Sequence, residues 1–162
     1  MKPIVVGVDE SKASAAALRW AVQIARPLGV RVRAVTVLTS TGWMINPEFG
    51  GWCPFEPGTR DEEGRALLDR AVRSAVPVDD LWRIDRRAVV GVASWCLVEE
   101  STTASMVVIG AKRRNAITRL MDGSIQPALL RHASCPVVVV PEHHEIGTPV
   151  VDLVDRELVL AG

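Results

Sequence analysis

Short β-branched runs alternate with stretches of helical periodicity along this chain, and that alternation limits the fold more than any other feature. "PIVVGVD" (Pro3 to Asp9) reads as a buried strand. The stretch after it holds Ser11 as a helix cap and Ala17, Ala21, Ile24 and Leu28 at helical spacing. Gly29 fits the end of that helix, with Pro27 as an earlier stop. "VRVRAVTVLT" is a second strand, so the chain opens β-α-β.

"TRDEEGRALLDRAVRSAV" is amphipathic despite Gly64, with Leu67, Leu68, Ala71 and Ala75 on its apolar side. "LWRIDRRAV", Leu81 to Val89, alternates and carries several charges, which suits an edge strand. A helix over Gly91 to Ser105 follows, then the apolar strand "MVVIG", a helix from Gly123 to His132, and the strand "PVVVVP". Strands alternating with helices imply a parallel sheet covered on both faces. Right-handed crossovers make it an α/β, doubly wound, five-stranded Rossmann-like sandwich. Ligands of such sheets bind at the carboxyl ends of the strands, where the strand order reverses. Asp9, the neighbourhood of Val37 and the loop after Gly110 are therefore the places to inspect.

A chain of 162 residues fits one domain with a proper core. Zero formal net charge argues against bulk nucleic-acid binding. Three cysteines without metal-ligand spacing suit reduced thiols in a cytoplasmic protein. No signal peptide precedes the first strand, and no apolar run reaches the ~20 residues of a membrane helix. The adjacent His143 and His144 are poorly placed to converge on one metal ion. No P-loop, G-x-G-x-x-G fingerprint, nucleophile elbow or carboxylate pair for acid/base work is present.

What remains is "VVIGAKRRNAITRLMDGSIQPALLRHASCPVVVV". Gly110 follows a strand directly and lets a backbone N–H approach a ligand. Gly123-Ser124 opens a helix whose N-terminus favours a phosphate. Lys112, Arg113, Arg114, Arg119 and Arg131 face the single Asp122. The bland alternative is a solvated basic loop with Ser124 as an ordinary N-cap. Asp9 likewise has two readings: a carboxylate for an adenine amino group or ribose hydroxyl, or a cap for the first helix. The segment Ser40–Gly58, with four glycines, three prolines, Trp43, Phe49, Trp52 and Phe55, is either a binding lid or a surface connection.

These residues resemble the universal stress protein (UspA) superfamily. "IVVGVDESKASAAALRWA" is similar to its first strand, Asp-x-Ser turn and helix. "MVVIGAKRR" and "MDGSIQPALLRHASCPVVVVP" are similar to its fourth strand, phosphate loop, helix and last strand. The resemblance implies an adenine nucleotide alpha hydrolase-like domain over residues 1–141, with residues 142–162 as an extension. It also implies the motif G-x2-G-x9-G-[ST] around ATP, with or without Mg2+. Gly110, Gly123 and Ser124 fill that motif, and Arg113 stands at its second glycine. By resemblance, Asp9 and Val37 would meet the adenine and ribose end. Ile109 and Gly110 would lie beneath the nucleotide, and Gly123, Ser124, Ile125 and Gln126 would line the phosphate end. The implied function is an ATP-binding stress-response sensor, homodimeric through Val137–Val140. The alternatives are an interaction module in which Arg113 blocks the site, or a slow ATPase.

Overall fold

The computed structural model describes residues 1–38, 57–111 and 125–143. Strands β1 (Ile4–Gly7), β2 (Val32–Leu38), β3 (Ile84–Val90), β4 (Met106–Ala111) and β5 (Val137–Pro141) form one sheet. All are parallel, in the order β3-β2-β1-β4-β5. Helices α1 (Lys12–Leu28), α2 (Pro57–Ala75), α3 (Ala93–Ser101) and α4 (Ile125–His132) make the connections. The doubly wound α/β sandwich expected from the alternation is the observed fold, and the order reverses between β1 and β4.

Side chains alternate across the sheet, which gives it two cores. Ile4, Val6, Val32, Ala34 and Val108 are buried with the inner faces of α1 and α2. Val5, Val35, Val107 and Ile109 are buried with Leu97 of α3 and Leu129 of α4. The alanines at 13, 16, 17, 21 and 25 give α1 a face of low relief, so its backbone lies close on the strands. Gly64 has the same cause. A Cβ there would stand 2.7 Å from Ala88 Cβ and 3.0 Å from Leu38 Cδ1, so the glycine lets α2 press onto β2 and β3.

The helix and strand ends follow the contacts made there. Pro27 does not stop α1, because it falls in the last turn, and Gly29 at φ 62° closes the helix with Val30 N–H on Ala25 O at 3.2 Å. Leu81–Arg83 belong to a 3-10 turn over Val78–Arg83 rather than to β3. That turn is pinned by the buried Asp80, which takes Arg26 Nε at 3.0 Å on each oxygen and also pairs with Arg26 Nη2. Finally, α3 spans Ala93–Ser101 rather than Gly91–Ser105. Ser101 and Thr102 turn their hydroxyls back onto the carbonyls of Val98 and Glu99, and Ser105 N–H already bonds Pro3 O.

β3 is an edge strand, as its charges suggest. Asp85 pairs with Arg31, Arg86 with Asp69 of α2, and Arg87 with Glu100 of α3. The opposite edge, β5, has no charge between Val137 and Pro141.

Candidate functional site

The carboxyl edge of the sheet, at the β1/β4 reversal, is where this fold leaves room for a ligand. Its best-defined part is the turn from β1 into α1. Ser11 is the N-cap, and its hydroxyl oxygen accepts from Ser14 N–H at 3.1 Å. The Asp9 carboxylate accepts from Ser11 N–H at 2.9 Å and from the Ser11 hydroxyl. The buried Ser14 hydroxyl donates to the Asp9 carbonyl at 2.6 Å and to Ser11 O at 3.0 Å. Asp9 itself is exposed at the mouth of the edge. It thus braces the cap rather than being it, and it stays beside any ligand that enters. Glu10, next in the chain, is held by Arg70 of α2 at 2.8 Å.

Gly110 lies under the same turn. A Cβ built on it would stand 2.3 Å from the carbonyl carbon of Ala13 and 2.7 Å from Ser14 N. The close approach that glycine permits here is made by the first turn of α1, and its φ is not in the left-handed region. The β4 exit and the β1–α1 turn therefore share one contact.

Val37 and Ile109 both pack with the α3–α4 core, Val37 half-buried and Ile109 buried. Ile125 opens α4 and packs into the same core, and Gln126 beside it is half-buried. Six of the expected residues, Asp9, Val37, Ile109, Gly110, Ile125 and Gln126, thus fall in the β1–α1 turn and on β2, β4 and α4, at or next to the carboxyl edge. Arg113, Gly123 and Ser124, with the rest of 112–124 and with 39–56 of the aromatic segment, lie outside the described residues; Pro57 and Gly58, expected in that segment, open α2, and Arg131 is in α4.

The entry of α3 completes this edge. Gly91 N–H bonds Leu38 O at 3.0 Å, tying the start of the β3–α3 connection to the end of β2. Glu100, buried at the other end of α3, accepts from Arg33 of β2 and Arg87 of β3, both at 3.0 Å. These bonds fix the position of α3 on the sheet. Ser94 is buried in its first turn, a polar residue in line with Leu97. No motif in the sequence includes it. The visible signal was a serine one turn before a core leucine, where an apolar residue is the default.

Other chemistry is sparse among the described residues. No group of three His, Cys, Asp or Glu side chains is placed to hold a metal ion, and no helix is long and apolar enough to cross a membrane. Burial raises the thiol pKa of both Cys96 and Cys135, which makes them poor nucleophiles. Lys12, Ala15, Arg19, Glu142 and His143 line a recess of about 240 Å³ between α1 and the end of β5. That is smaller than the ~300 Å³ lower bound usual for a small-molecule pocket.

Against known proteins, the model of the universal stress protein family matches residues 1–141. The chain belongs to the universal stress protein family. A universal stress protein of Mycobacterium tuberculosis is 31% identical over 172 aligned residues, covering 93% of this chain and 56% of the relative. One of Methanocaldococcus jannaschii is 28% identical, covering 86% of this chain and 81% of the relative. The chain thus spans about half the length of its mycobacterial relatives. Among solved universal stress proteins, one from Archaeoglobus fulgidus is 26% identical, with a TM-score of 0.62 over 86% of this chain and 98% of that one. Another, solved in complex with cAMP, is 24% identical, with a TM-score of 0.56 over 87% of this chain and 97% of that one. A third, from Arabidopsis thaliana with AMP bound, is 16% identical, with a TM-score of 0.50 over 91% and 97%.

Proposed function

We propose that this chain is a universal stress protein that binds an adenine nucleotide, ATP by the motif, at the carboxyl edge of β1, β2 and β4. The observation that carries the reading is the placement of Asp9 and Gly110 together at the β1/β4 reversal. Solved relatives of the same fold hold cAMP, dAMP or AMP, which supports the ligand class. Asp9 and Val37 would meet the nucleoside, and Ile109 and Gly110 would underlie it. Gly123, Ser124, Ile125 and Gln126 would receive the phosphates at the start of α4, where free N–H groups favour an anion. Arg113, and Mg2+ where ATP is the ligand, would offset phosphate charge. Occupancy would then act as the signal of a regulatory module in the cytoplasm.

The same reading makes the protein a homodimer through β5. Val137 to Val140 form an uncharged edge, with Val139 40% exposed and Leu130 on neighbouring α4 70% exposed. Such an edge invites pairing with a second copy.

A second reading has one observation in its favour: Arg113 stands at the second glycine of the motif. There the module binds no nucleotide and acts through its partners. Anion-exchange chromatography of nucleotide released by heat, with calorimetric titration of Mg-ATP, separates the two. Released adenine nucleotide or saturable binding supports the first reading. Neither signal at millimolar ATP supports the second, and Arg113→Gly then restores binding if the arginine is the obstacle.

A further inference from the structure

We infer that the recess between α1 and the end of β5 is a site for inorganic phosphate, separate from the nucleotide edge and independent of the nucleotide reading. Lys12, Ala15 and Arg19 line one side of it. They stand three and four residues apart, so they share one face of α1. Glu142 and His143 line the other side. They follow directly on Pro141, which is paired with Ala111 at the end of β4. Val138 and Val140 of β5 pack in the same core as the inner face of α1, which holds the two sides of the recess at a set spacing.

Charge and space both point to a ligand. Every arginine of β2 and β3 has a carboxylate partner. Lys12 and Arg19 face Glu142 across the recess, yet none of the three is in an ion pair among the described residues. Opposite charges that share a recess without closing it leave a gap that a bridging group can fill. Ala15 keeps the helix surface low between the two cations. Lys12 and Arg19 are roughly 10 Å apart along the helix axis. A helical side chain leans toward the N-terminus, which brings the Arg19 guanidinium back over Ala15. The volume of about 240 Å³ is small for a nucleotide. It is ample for a small oxyanion with several waters, each taking about 30 Å³.

The donor and acceptor inventory selects the anion. Lys12 and Arg19 only donate, and an oxyanion satisfies both. Glu142 only accepts, so it repels an anion that has no proton to give. Hydrogen phosphate meets both demands. Its bare oxygens take Lys12 and Arg19, and its hydroxyl donates to the Glu142 carboxylate. Sulfate has no hydroxyl at neutral pH. A phosphate monoester loses its last one above about pH 6. The carboxylate therefore favours free phosphate over both. The exposed His143 ring offers one more N–H at the open side.

The test is calorimetric titration of the full chain, at about pH 8, with inorganic phosphate, sulfate and glycerol 3-phosphate. Phosphate should bind saturably and ~tenfold or more tighter than either of the others, the worth of one charge-assisted hydrogen bond. Lys12→Gln and Arg19→Gln should each weaken phosphate binding by a similar factor. Both side chains are exposed, so the thermal midpoint without phosphate should not move. Glu142→Gln puts an amide, which also donates, where only an acceptor stood. It should erase the preference, with phosphate bound more weakly and sulfate more tightly. No saturable phosphate binding, or equal binding of sulfate or of the ester by the wild type, would overturn the site. So would phosphate binding that survives Arg19→Gln, which belongs elsewhere on the chain, or a preference that survives Glu142→Gln.

Discussion

Two of the helices that begin at the carboxyl edge of this sheet, α1 and α3, begin differently. At α1, Ser11, Ser14 and Asp9 hydrogen-bond one another, and Gly110 lets the turn rest directly on β4. At α3, Val92 offers no side-chain cap, and the first α-helical bond runs from Cys96 N–H to Val92 O, so the N–H groups of Ala93, Ser94 and Trp95 have no α-helical acceptor. The first start is satisfied from within the chain, whereas the second has polar groups still to satisfy. A closed turn holds the geometry of a site.

The contrast can be broken from either side. The largest effect should come from Gly110→Ala, because the new methyl meets backbone atoms of α1 that cannot rotate away. We expect a loss of at least ~3 kcal/mol in denaturant unfolding, enough to deplete the folded protein. A variant as stable as the wild type would mean that the contact between β4 and α1 is not tight. Ser11→Ala removes the α1 cap and should cost about 1 kcal/mol, read as a lower urea midpoint at unchanged slope. Val92→Ser does the reverse at α3. Supplying the missing cap should raise stability by about 0.5–1 kcal/mol, and no gain would show that α3 is satisfied already.

A smaller, pH-dependent effect belongs to the opposite end of the sheet. The hydrogen bond from Arg26 holds the Asp80 carboxyl below its ordinary pKa. The folded chain therefore binds a proton there less readily than the unfolded chain, whose Asp titrates at about 3.9. The stabilisation is complete above about pH 5 and is lost as the pH falls through the lowered folded value. Asp80→Asn should lower the thermal midpoint at pH 7 by a few degrees, with the difference from wild type shrinking in acid. A difference independent of pH would remove this ion pair as its source.

The layering of the fold was legible because it follows from period. Val5 and Val6 face opposite cores for no reason beyond alternation, and the charges of β3 announce an edge. What escaped depends on contacts between distant segments. Leu81 to Arg83 alternate as a strand would, yet the residues before β3 are held in a 3-10 turn by Asp80, whose partner Arg26 lies 54 residues away. Gly110 marks a close approach in the sequence, but only the fold reveals that α1 is what approaches. Ser94 is anonymous in the sequence, since a serine one turn before a leucine has no meaning until α3 is laid over Gly7. The sequence allows Asp9 two roles, and the structure makes it a brace for the Ser11 cap at the carboxyl edge.

The most direct test of the account is the affinity of the purified full chain for adenine nucleotide. Calorimetric titration with AMP and Mg-ATP should give saturable binding to a single site per chain. Asp9→Ala should weaken that binding at least tenfold, about the worth of one charge-assisted hydrogen bond, while the chain stays folded. No heat of binding at millimolar nucleotide, or equal binding by Asp9→Ala, would contradict a nucleotide site at the β1/β4 edge.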